Sequence, residues 1–163
     1  MARDILTAMA DNTRVSSSTR IAASPETVYA LVSDLSRMGE WSPEATGGDW
    51  VGGTGPSVGV KFKGTNANGD KKWKTTVKVT DASAPNRFAF ANAVGPLVVA
   101  EWIYEITPVA DGCEVTESWV DRRGPVISFV GKHLTGVDDR AAHTRSMIEK
   151  TLAGIKATAE GAR

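Results

Sequence analysis

The sequence predicts an α+β fold: a curved antiparallel sheet of six or seven strands gripping one long C-terminal helix, with two short helices after the first strand. Three observations lead there. Residues 47–121 read as strands separated by Gly, Pro, Asn and Asp. After Gly124-Pro125 the alternation stops, and apolar residues recur at spacings of three and four. The links between strands, such as Ala84-Pro85 and Ala110-Asp111-Gly112, are short enough to join antiparallel neighbours.

Residues 14–23 open the domain as a strand through Val15, Thr19 and Ile21. Ser24-Pro25-Glu26-Thr27 starts a helix, with Ser as N-cap and Pro at the first helical position, and Val28, Leu31, Val32 and Leu35 continue it. Residues 38–43 read as a second short helix or turn ending at Pro43. Residues 58–65 form a strand, followed by a hairpin turn over 66–70 that centres on Asn68-Gly69. Residues 71–81 alternate most cleanly. Trp73, Thr75, Val77 and Val79 share one face, and Lys72, Lys74, Thr76 and Lys78 share the other, as in a sheet covered on one side. Phe88 and Phe90 share a face in 86–92; Val98, Ala100, Trp102, Tyr104 and Ile106 share one in 97–107; residues 113–120 form the last strand. Gly131 and Gly136 divide the tail into a short helical piece and a main helix from about residue 137, with Met147, Ile148, Leu152, Ile155 and Ala159 as its apolar stripe.

The 163 residues fit one domain, with an N-terminal extension at 1–13, read as flexible, and a ligand-binding domain at 14–160. Nineteen basic and nineteen acidic side chains cancel, which argues against a nucleic-acid partner. Cys113 is the only cysteine, so an intrachain disulfide and a Cys-rich metal site are excluded. The first fourteen residues hold no apolar stretch of a secretory signal, and no window approaches the roughly 18 apolar residues of a membrane span. A cytoplasmic address is the expectation.

One helix covers only part of so wide a sheet, so a hollow is expected beneath it. Trp73, Phe88, Phe90, Trp102, Tyr104 and Trp119 fall on inward faces, where a solid core explains them as well as a cavity does. The ordered series IAASPETVYALV at 21–32, DLSRM at 34–38, WSPE at 41–44, VGVKFKGTN at 58–66, WIYEITP at 102–108 and GCEVTES at 112–118 resembles the START-like, birch-pollen-allergen-like (SRPBCC) superfamily. Within it, the series is similar in particular to the bacterial polyketide cyclase/dehydrase-like branch. That resemblance implies a helix-grip fold around a cavity for a small hydrophobic ligand such as a lipid or polyketide, lined by Trp41, Phe62, Trp73, Phe88, Phe90, Trp102, Tyr104, Trp119 and Met147.

Glu117 shares the parity of Cys113, Val115 and Trp119. An inward carboxylate there has a raised pKa and suits a proton shuttle or ligand anchor, unless a bulge turns it out or a base on the long helix neutralises it. His143 on the main helix is the second acid/base candidate, against an exposed or core role. His133 and His143 lack a carboxylate partner at metal spacing, so neither a metal nor another cofactor is expected. Trp41 either closes the pocket mouth or packs, Glu44 caps or stays solvated, and Asn66 is a turn residue in preference to a ligand contact. Asp138-Asp139-Arg140 reads as helix-start charge, Cys113 as a small buried hydrophobe, and the lysines at 71, 72, 74 and 78 as a solvated outer face. Binding of an apolar metabolite is the leading function. The alternatives are a polyketide cyclase/dehydratase that uses an inward carboxylate, and a protein-interaction module on the same fold. A monomer or homodimer is expected.

Overall fold

A computed structural model describes residues 13–161. The expected extension at 1–13 lies outside the described residues except for Thr13.

The chain runs β1 (Arg14–Ile21), α1 (Pro25–Ser33), a 3-10 helix (Leu35–Glu40), β2 (Ala45–Val51), β3 (Lys61–Asn68), β4 (Lys71–Ser83), β5 (Arg87–Val94), β6 (Leu97–Val109), β7 (Gly112–Asp121), α2 (Pro125–Thr135) and α3 (Arg140–Gly161). The strands make one seven-stranded antiparallel sheet in the order β1-β7-β6-β5-β4-β3-β2. Consecutive strands β1 and β2 therefore sit at opposite edges. The chain between them must cross the concave side, and α1 with the 3-10 helix makes that crossing. The Ser24 hydroxyl caps α1 by accepting from the Thr27 backbone N–H at 3.2 Å. Helix α3 then lies along the concave face and buries Thr144, Met147, Ile148, Thr151, Leu152, Ile155 and Ala159. This is the helix-grip arrangement.

Local chemistry shifts four boundaries. Strand β3 begins at Lys61, because residues 57–60 form a turn in which the Val60 N–H donates to the Ser57 carbonyl at 3.0 Å. It runs on to Asn68, which pairs with Lys71, so the hairpin turn is Gly69-Asp70. Gly69, at φ +60°, takes the first central position of a two-residue turn, where an L side chain is disfavoured. Asn66 thus belongs to a strand. On β6, Asn92 pairs with Ala100 and Ala93 with Val98, so Val99 bulges. The bulge breaks the alternation there and leaves Val98 exposed. Helix α2 ends at Gly136 in a left-handed conformation. The main helix waits until Arg140, where the Asp139 carboxylate accepts the Ala142 N–H at 3.0 Å as its cap.

Gly47 and Gly48 belong to edge strand β2, and a Cβ on Gly48 would lie 2.3 Å from the Lys63 carbonyl oxygen. Only glycine allows β2 to lie so close over β3 at that point.

Candidate ligand cavity

Strand register stacks the inward residues in cross-strand rows. Phe62 sits opposite Val77, Val77 opposite Asn92, and Asn92 opposite Ala100. In the next row Val79, Phe90, Trp102 and Trp119 succeed one another, and beyond it Phe88, Tyr104 and Glu117. Between these rows and α3 lies a cavity of about 90 Å³. Small-molecule pockets usually span roughly 300–1,000 Å³, so this one is compact as it stands.

Of the residues expected to line it, Phe62, Trp73, Phe90, Trp102, Tyr104, Met147 and Glu117 do. Four others lie elsewhere. Phe88 is fully buried behind the wall, edge-on to the Tyr29 ring at 6.2 Å between centroids, because α1 covers that row. Trp41 packs on α3 instead of closing a mouth; a Cβ on Gly154 would lie 2.6 Å from the Trp41 Cβ. Trp119 is buried beside a neighbouring cleft, with the Arg123 guanidinium 5.7 Å from its ring centre. His143 does not line the cavity: its Nε2 lies 2.8 Å from Glu44 Oε1.

Glu44 corrects the solvated or capping expectation. It is buried, and both its oxygens accept from Arg140, at 3.1 and 2.9 Å. Arg140 opens α3, where the helix dipole disfavours a cation, and the Glu44 carboxylate offsets that cost. The pair ties the segment before β2 to the start of α3 at the cavity wall. Asn66, expected in a turn, faces the cavity from β3 and donates from Nδ2 to Thr75 Oγ1 at 3.2 Å.

Glu117 is the chemical centre. It is 2% exposed on β7 and faces Tyr104 across the ladder. The Tyr104 hydroxyl donates to Glu117 Oε1 at 2.9 Å, while Oε2 has no hydrogen-bond partner among the described residues. Burial removes the water that would stabilise the carboxylate and pushes its pKa up to about 8, against a smaller lowering by the Tyr104 bond. Burial, with Glu117 beside it, holds the Tyr104 hydroxyl well above its ordinary value of 10.0. At neutral pH Glu117 is therefore mainly a neutral acid, with Oε1 engaged and Oε2 free to carry the proton. Asn92 offers a second polar point, for its Oδ1 is buried on the same wall without a partner among the described residues. Among those residues no three His, Cys, Asp or Glu side chains gather into a metal-binding group.

Residues 12–160 match the family described as polyketide cyclase / dehydrase and lipid transport. The chain belongs to that family. Solved structures share the architecture of this polyketide cyclase/dehydrase and lipid transport family member. A polyketide-cyclase-like protein from Corynebacterium glutamicum is 32% identical, with 88% of each chain covered and a TM-score of 0.61. One half of the di-domain ARO/CYC StfQ from the steffimycin biosynthetic pathway gives a TM-score of 0.75 at 15% identity, covering 99% of this chain and 55% of that one. A protein from Thermus thermophilus gives 0.67 at 19% identity, covering 92% and 99%. The last two show likeness of fold alone. No curated protein matches the chain. No helix among the described residues is long and apolar enough to cross a membrane.

Within this family frame, Asn92 and Arg140 are wall residues that sequence reasoning passes over, whereas the alternation in β4 already puts Thr75 on the inward face. Asn92 follows Phe88 and Phe90 at intervals of two, so strict alternation places it inward. Arg140 carries no such signal, since its partner lies on a distant segment.

Proposed function

We propose that this protein binds a small, predominantly apolar molecule carrying a carbonyl or hydroxyl group, in the cavity between the sheet and α3. The observation that supports this most is Glu117, a carboxyl with a raised pKa and an unpartnered oxygen on an aromatic wall. An orphaned buried polar atom costs free energy, about 1–3 kcal/mol, that a ligand group can recover. A protonated carboxyl donates to a carbonyl or hydroxyl oxygen, so it selects a ligand with a polar end over a plain hydrocarbon. The aromatic and aliphatic neighbours take up the apolar body.

Native mass spectrometry of the protein purified from its own host tests this reading. A retained apolar compound with an oxygen function is the expected result. Retention of a plain hydrocarbon, or unaltered retention by Glu117→Gln, counts against the role of Glu117.

A cyclase or dehydratase reading draws on one feature, the near-neutral pKa of Glu117, which suits a general acid. Such chemistry also needs a base. His143 is engaged with Glu44, and Tyr104 is held far above neutrality. Binding is the better-supported function, and a rate loss of about 100-fold or more in Glu117→Gln on a polyketide substrate would reverse that order.

A further inference from the structure

A second cleft, of about 170 Å³, adjoins the cavity. Trp73, Thr75, Asn92, Trp102 and Arg140 line both, so these five side chains are the partition between them. Beyond the partition the walls are mostly apolar, with Lys74, Arg123 and Thr135 as the polar exceptions. Val99 and Ala100 contribute from β6, Trp119 from β7, and Ile127, Gly131 and Leu134 from α2. Helix α2 buries none of its residues, and Val126, Phe129, Val130 and Leu134 are all exposed.

Three buried side-chain polar atoms lack a partner among the described residues. Thr144 Oγ1 lines neither space, and the other two, Asn92 Oδ1 and Glu117 Oε2, stand apart. Asn92 is opposite Ala100 and Glu117 opposite Tyr104, four residues further along β6. At about 3.3 Å per residue the rows are roughly 13 Å apart, too far for one small polar group to meet both. Glu117 lines only the cavity, whereas Asn92 stands at the partition. Neither space alone reaches the low end of ordinary small-molecule pockets; joined, they approach it.

We propose that cavity and cleft are the two ends of one site for an elongated amphiphile, with its oxygen-bearing end on Glu117, its middle passing Asn92 between Trp73 and Trp102, and its hydrocarbon tail under α2. This rests on the binding function proposed above and adds to it the shape of the ligand and a tail subsite. Arg140 belongs to the partition and is ion-paired with Glu44, so the tie between the segment before β2 and the start of α3 borders the passage that the tail takes.

Straight-chain 2-alkanones of four to fourteen carbons serve as probes, with binding followed by calorimetry. Gly131 is the point of attack. A Cβ there would meet only Arg123 Nη1, at an ordinary 3.6 Å, so Gly131→Ala fits and Gly131→Phe fills the cleft. Val99→Phe fills it from the sheet side and keeps the test intact if α2 rearranges. For the wild-type protein and the control Gly161→Ala, which meets open space, affinity should climb by up to about fourfold per added methylene across the series. For Gly131→Phe and Val99→Phe, the short ketones should bind within about twofold of wild type, and the climb should stop at intermediate length. Coincident ladders for wild type and both phenylalanine variants would place the tail elsewhere and overturn the proposal. Failure of every ketone to bind any of the proteins, short ones included, would instead overturn the binding function on which it rests.

Discussion

Replacing Glu117 by Gln should make the protein more stable than wild type by a margin that grows with pH. Glutamine keeps the shape and an oxygen that accepts from Tyr104, but it never ionises. In the wild type, the folded-state pKa of Glu117 is about 8, against 4.5 for the free side chain. A raised carboxylate pKa means that between these values the unfolded chain has released a proton which the folded chain still holds. Folding stability therefore falls as pH rises through that window and levels off above pH 8. Below pH 4.5 both states are protonated and the penalty vanishes. At about 1.4 kcal/mol per pKa unit, the difference in stability between variant and wild type should widen by about 3–4 kcal/mol from pH 5 to pH 8. Any fixed cost of burying the new amide is the same at every pH and drops out of this comparison. For a chain of this length the widening corresponds to roughly 7–14 °C in relative Tm. Urea or thermal denaturation of both proteins at pH 5, 6, 7 and 8 measures it. Parallel stability curves across that range would refute the reasoning, since they would mean that Glu117 titrates alike folded and unfolded.

Tyr104→Phe removes the one hydrogen bond that lowers the Glu117 pKa, so the Glu117 carboxyl signal in carbon-13 NMR should titrate at a higher pH than in the wild type, and a midpoint at or below the wild-type one would contradict the assignment. Arg140→Ala leaves the buried Glu44 carboxylate with His143 as its one remaining side-chain partner among the described residues and should cost about 3 kcal/mol in urea denaturation, with much of it recovered in the double variant Glu44→Gln/Arg140→Ala. Gly154→Ala drives a methyl into Trp41 and should cost about 1–3 kcal/mol, whereas Gly161→Ala, which meets open space, should change stability by less than about 0.5 kcal/mol.

The legible parts of the fold are those written in local periodicity. Trp73, Thr75, Val77 and Val79 alternate with lysines, so β4 and its inward face can be read directly. The same holds for the stripe of Met147, Ile148, Leu152, Ile155 and Ala159, and for the Ser24-Pro25 start of α1. Parity also places Glu117 inward. What escapes depends on residues far apart in the chain. Glu44 looks solvated until Arg140 and His143 arrive on α3, and that contact withdraws His143 from the cavity. Trp41 looks like a gate until Gly154 packs beneath it. The bulge at Val99 has no local mark, and it alone leaves Val98 exposed while Val99 turns to the cleft. Phe88 and Phe90 have the same parity, yet only Phe90 reaches the cavity, because α1 lies over the row of Phe88.

The central claim is that a neutral Glu117 receives the polar end of an apolar ligand, and carbon-13 NMR of the Glu117 carboxyl during titration with 2-decanone at pH 7 tests it most directly. The account predicts a saturable shift of that one resonance, together with a rise of its pKa above that of the ligand-free protein, because the ketone accepts a bond only from the protonated acid. Saturable binding that leaves the Glu117 resonance and its titration unmoved would contradict it.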